Sequence, residues 1–153
     1  VVVPDLIGLG LSDKPPDAEV HRLESHAAWL GRMLDAVVPG PMVLAVQDWG
    51  GPIGILAAAG RQTRVRGLVL LNTVVGPPRP LERCQEVVTS FRGPIEIVWG
   101  TRDPVLGRVL GHVERLLPAA PVTRTDAGHF LQEEVPGPIA AAIRRVLARV
   151  AAA

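Results

Sequence analysis

Tyrosine is absent from the 153 residues, cysteine and lysine occur once each, and phenylalanine and tryptophan together supply five side chains, two and three respectively. The lone Cys84 excludes an intrachain disulfide, and that is the expectation for a reducing, cytoplasmic compartment. No apolar run approaches the roughly 20 residues that cross a bilayer, so no membrane partner is expected. Charge of neither sign dominates. A net charge of +1 offers no footprint for nucleic acid or an anionic membrane surface. The sequence opens on Val1-Val2-Val3 without the basic region and cleavage site of a secretory leader, and is expected to begin inside its first strand.

What is present is a globular balance, 48% hydrophobic against 20% charged. The length suits a single domain, 1–153. Short apolar runs at Val1–Pro4, Met42–Gln47, Leu68–Leu71, Ile95–Trp99 and Val122–Thr125 read as strands buried on both faces of a parallel sheet. Between them, apolar residues recur at helical spacing. The stripes are Leu23, Ala27, Leu30, Leu34 and Val37, then Leu81, Cys84, Val88 and Phe91, then Val109, Val113, Leu116 and Leu117. An Ala- and Gly-rich helix is expected from Gly50 to about Gly60. A last helix carries Ile139, Ile143, Val146 and Val150, with Pro138 in its first turn. The alternation predicts an α/β fold, a mostly parallel sheet of about five strands with helices on both faces.

Ligand sites in such sheets lie beyond the carboxyl ends of the strands. Asp5, Asp48, Asn72, Asp103 and, a few residues further on, His129 all follow predicted strands. Asp48, followed by Trp49, Gly50 and Gly51 and then a helix, has the layout of a nucleophile elbow. Taken alone it reads equally as a helix N-cap. Asp103 alone reads as a turn residue before Pro104, and His129 alone as a surface loop histidine. Their order, nucleophile, acid and then histidine, is that of an α/β-hydrolase triad. Trp29 and Trp99 read as core. His21, His26 and His112 read as surface or helix-end residues without metal-ligand spacing, and Arg144-Arg145 as a solvated face.

Three segments carry a resemblance. They are Val3-Pro4-Asp5-Leu6-Ile7-Gly8-Leu9-Gly10-Leu11-Ser12-Asp13-Lys14-Pro15, Gln47-Asp48-Trp49-Gly50-Gly51 and Gly128-His129-Phe130-Leu131-Gln132-Glu133. Together they resemble the haloalkane dehalogenase branch of the α/β-hydrolase superfamily, in patches from residue 1 to about 147. The resemblance implies that Asp48 attacks the halogen-bearing carbon of a small apolar substrate to give an alkyl ester. It implies that His129 activates the water that hydrolyses the ester, and that Asp103 orients His129. Trp49 would serve the departing halide through its indole and the oxyanion through its main-chain N–H. Asn72 matches an alternative acid position of the family but cannot be the anion. No cofactor or metal is implied.

The family's earlier strands, with the loop that supplies a second oxyanion donor, have no counterpart in this sequence. Nor has its cap domain, since only 21 residues (93 − 72) lie between Asn72 and the strand that follows Gly93. A carboxylate nucleophile needs a dry site, so this polypeptide by itself is expected to show little or no dehalogenase activity. The alternative reading is an inactive remnant or a partner-dependent fragment that self-associates through exposed strand edges. An epoxide hydrolase is the third reading, disfavoured because the chain has no tyrosine to protonate an epoxide oxygen.

Overall fold

A computed structural model describes residues 1–76 and 81–153. Four parallel strands stand side by side in chain order: β1 (Met42–Asp48), β2 (Val65–Thr73), β3 (Ile95–Gly100) and β4 (Val122–Thr125). The helices are α1 (Leu23–Val37), α2 (Gly50–Ala59), α3 (Glu82–Ser90), α4 (Leu110–Leu116), the single turn α5 (Leu131–Glu134) and α6 (Pro136–Ala151). Right-handed crossovers that all step the same way along a sheet place their helices on one face. The other face must then be covered by chain from elsewhere, and α6 does this after β4.

The strands show the two-residue period that this layering demands. Leu68, Leu70, Ile97 and Trp99 face a core shared with Leu34 of α1, Ile55 of α2, Cys84 and Val88 of α3, and Val113 of α4. Val69, Leu71 and Val98 face the second core, closed by Leu131 of α5 and by Ile139, Ala142 and Val146 of α6. α2 is apolar all round and buried along most of its length, and its Pro52 falls in the first turn, where no amide hydrogen is needed. Asp35 of α1 ties that helix to the chain between α2 and β2, accepting from Arg61 Nε at 2.8 Å and from an Arg64 guanidinium nitrogen at 2.7 Å.

The expected strand at Val1–Pro4 is not formed, and four strands stand where about five were expected. Val1 and Val3 are 124% and 87% exposed. Valine favours a pleated surface only where a neighbouring strand supplies hydrogen bonds and packing, and none lies beside this segment among the described residues. Asp5 goes with it. Its carboxylate accepts from Leu11 N at 2.8 Å and its carbonyl from Ser12 Oγ at 2.7 Å, so it organises its own loop.

Other expectations shift more modestly. β2 extends past Asn72, which lies inside the strand rather than after it. Val37 is exposed rather than part of the α1 stripe. Trp99 is fully buried, whereas Trp29 is half-buried and packs edge-to-face on His26, 5.2 Å between ring centres. His26 and His112 lie in the first turns of α1 and α4, as helix-end residues, and are half-buried; His112 Nε2 lies 2.9 Å from the carbonyl of Val75. Arg145 is not simply solvated, because it pairs with the buried Glu96. Residues 77–80, part of the connection expected between Asn72 and the α3 stripe, lie outside the described residues.

Candidate active site

β1 ends in a residue with a left-handed backbone: Asp48 has φ +48°. A non-glycine residue held there stores about 1–3 kcal/mol that surrounding contacts must offset. One such contact is the hydroxyl of Thr73 on β2, which donates to the Asp48 carbonyl at 2.7 Å. Of the two glycines behind the turn, only Gly51 is sterically required. A Cβ there would lie 1.7 Å from Thr73 Oγ1, while one on Gly50 would meet nothing within 4 Å. The helix N-cap is Trp49, which makes no side-chain capping bond. The capping reading of Asp48 therefore does not hold, and its carboxylate faces His129 instead.

Asp48, His129 and Asp103 converge beyond the carboxyl ends of β1, β3 and β4. His129 Nε2 lies 3.6 Å from Asp48 Oδ1, and its Nδ1 lies 2.8 Å from Asp103 Oδ2. Exposure falls along the row, from 35% for the Asp48 side chain through 17% for His129 to 0% for Asp103. Burial pushes the Asp103 carboxyl up. The opposing hydrogen bonds from Asn72, Leu106 N, His129 and Val105 N outweigh it and hold the group at about 2. An anionic Asp103 accepting at Nδ1 selects the tautomer that leaves Nε2 bare toward Asp48.

Asn72 is fully buried beneath this pair. Its amide nitrogen donates to Asp103 Oδ2 at 2.6 Å and its oxygen accepts from Gly100 N at 2.7 Å, so it locks the acid to the end of β3. Gln47, one residue before Asp48, donates to the main-chain oxygen of His129 at 2.9 Å. Neither contact, nor the Thr73 clamp, was visible in the sequence. Each joins residues on different strands or loops; Thr73 carries no motif, and the elbow segment that contains Gln47 does not say what its side chain touches. Trp49 follows the elbow and is 58% exposed as a residue, and Phe130 stacks edge-on against His129 at 5.2 Å between ring centres. Cys84 is no rival nucleophile: burial pushes its thiol up to about 11. The cavity of about 480 Å³ lined by Val65, Arg66, Gly93 and Pro94 opens at the amino ends of β2 and β3, away from this chemistry.

A strained strand-to-helix turn carrying a carboxylate, with an Asp–His pair brought to it from later strands, has the layout of the α/β-hydrolase fold. Residues 1–89 match the family described as alpha/beta hydrolase fold, and the chain belongs to that family. Its relatives place it in the haloalkane-dehalogenase-like branch. Haloalkane dehalogenase 2 of Mycobacterium tuberculosis is 33% identical over 145 residues, covering 95% of this chain and 48% of that protein. The cis-3-alkyl-4-alkyloxetan-2-one decarboxylase of Xanthomonas campestris is 44% identical over 86 residues, 52% of this chain and 29% of that protein. The tetrameric haloalkane dehalogenase DpaA from Paraglaciecola agarilytica superposes with a TM-score of 0.83 at 20% identity, covering 92% of this chain and 72% of that one. The chain thus spans less than half the length of these two curated relatives.

Proposed function

We propose that the site performs hydrolytic carbon–halogen cleavage through an alkyl ester on Asp48. The observation that carries the reading is the row Asp48, His129, Asp103, at 3.6 and 2.8 Å, with a carboxylate at the elbow. An Asp48 oxygen attacks the halogen-bearing carbon of a small apolar alkyl halide. A carbon–oxygen bond forms as the carbon–halogen bond breaks, and the halide leaves with the electron pair toward the Trp49 indole. His129 Nε2 then takes a proton from water as that water attacks the ester carbonyl, and the Trp49 main-chain N–H stabilises the oxyanion. Collapse expels the alkoxide, which takes the proton from His129 and leaves as the alcohol, and the Asp48 acid returns to its carboxylate by releasing the remaining water proton to solvent.

Displacement by a carboxylate is fast only where water is excluded, yet Asp48 and Trp49 are open to solvent among the described residues. Turnover by residues 1–153 alone is therefore expected to be low, and the chemistry is best caught at the covalent stage. With 1-bromobutane, His129→Ala should release one halide per chain and leave a butyl ester on the Asp48 peptide by mass spectrometry. Asp48→Ala should do neither. Halide release that survives Asp48→Ala overturns the proposal, and the absence of any ester supports the inactive-remnant reading.

A second reading is favoured by the 44% identity to the oxetanone decarboxylase over 86 residues. The same Asp48 would then attack C4 of a cis-3-alkyl-4-alkyloxetan-2-one as the ring C4–O bond breaks, and loss of carbon dioxide from the freed carboxylate would expel the Asp48 carboxylate and leave an alkene. Offering both substrates to one preparation separates the two. We further propose a cytoplasmic location, supported by the single buried Cys84, and self-association through the β1 edge, which has β2 alone as partner among the described residues. No helix among the described residues is long and apolar enough to cross a membrane.

A further inference from the structure

Gln47 lies half-buried at the end of β1, and the reaction sequence above leaves its side chain without a task. Its amide nitrogen is 2.9 Å from the main-chain oxygen of His129 and 3.4 Å from Nε2 of the same residue. A carbonyl oxygen only accepts, so the His129 carbonyl decides which way the amide is turned: the NH₂ end faces the imidazole. The two residues are 82 apart in sequence, and the contact joins the β1 edge of the sheet to the loop leaving β4 at the other edge.

The imidazole is therefore under opposing influences. Asp103 stands 2.8 Å from Nδ1 and Asp48 3.6 Å from Nε2, so each ring nitrogen faces a carboxylate oxygen able to accept an N–H, the geometry that suits the doubly protonated imidazolium. That form cannot take a proton from water, and it would hold Asp48 in an ion pair instead of leaving it free to attack carbon. An N–H directed at Nε2 acts the other way, being satisfied by a lone pair and repelled by a ring N–H. Other charged groups nearby are engaged elsewhere. Glu134 accepts from Gly128 N at 2.9 Å, and Arg102 Nε donates to the Asp126 carbonyl at 3.0 Å.

We infer that Gln47 is a positioning residue that keeps His129 neutral and protonated on Nδ1, by presenting its amide N–H beside Nε2 while pinning the His129 main chain. At 3.4 Å the contact is too long to occupy the lone pair fully, so a water still has access to it. The inference rests on the reading of His129 as the base, but its test needs no turnover.

Protein labelled with ¹⁵N-histidine would be compared at neutral pH with Gln47→Met, which keeps the length and loses the N–H, and with Gln47→Glu, which puts an acceptor in its place. Wild-type His129 should show the widely split ring shifts of a neutral Nδ1–H imidazole. In both variants the two nitrogens should converge toward the imidazolium position, further in Gln47→Glu. Ring shifts unchanged in folded Gln47→Met, or already imidazolium in the wild type, overturn the inference. Should Gln47→Met not fold, unchanged shifts in Gln47→Glu overturn it equally. Convergent shifts in a protein that forms no alkyl ester would uphold the role of Gln47 and sink the dehalogenase reading alone.

Discussion

Gly50 and Gly51 stand side by side, and only one is under constraint. Gly51→Ala would drive Thr73 Oγ1 off the Asp48 carbonyl, so it should cost about 1–3 kcal/mol of stability. Gly50→Ala should be neutral or stabilise by up to about 1 kcal/mol, since alanine is the better helix former and the site is open. Urea denaturation of both variants checks the contrast, and equal losses would refute it. Asp103 allows a second residue-scale test. A carboxyl held at about 2 when folded contributes stability that is present above its unfolded value near 4 and is lost as pH falls through the folded one. The size is roughly 2 kcal/mol. Urea midpoints between pH 5 and pH 2 should fall more steeply for wild type than for Asp103→Asn. Parallel curves would show that Asp103 is not held down.

At the scale of elements, α6 is bound to the sheet by charge as well as by packing. Glu96 on β3 has a side chain only 2% exposed, and it takes Arg145 at 2.7 Å and Arg149 at 2.5 Å. Replacing both arginines by methionine would leave an unpaired buried carboxylate. The expected loss is about 2–3 kcal/mol, toward the low end for such a site because the guanidinium groups are nearly half exposed. Adding Glu96→Gln should restore part of it, and a triple variant no more stable than the double would refute the account. The Arg144-Arg145 pair shows why the sequence misled here. Helical periodicity says which side of α6 faces inward, but not that a glutamate in an apolar strand waits beneath it. Val1–Pro4 misled for the opposite reason: its composition suits a strand, but strand formation depends on a neighbour that propensity does not register.

For the molecule as a whole, β1 and β4 are the edges of the four-stranded sheet, and backbone groups along an edge invite another chain. Light scattering should show concentration-dependent association, reduced by Ala45→Lys on the exposed part of β1, and a monomer at all concentrations would count against it. The sequence by itself determined the parallel architecture, through apolar runs alternating with amphipathic stretches. It also determined the identities and order of Asp48, Asp103 and His129, because each is a local feature at or after a strand end. Only the tertiary structure decided what surrounds them: Thr73 on the elbow carbonyl, Asn72 beneath Asp103, Gln47 against His129. These are contacts between residues 25, 31 and 82 apart, made by ordinary polar side chains. Asn72 stands out at a strand end and Gln47 in the elbow segment, but the partners they take do not show, since these come within reach only when neighbouring strands and the loops that follow them fall into register.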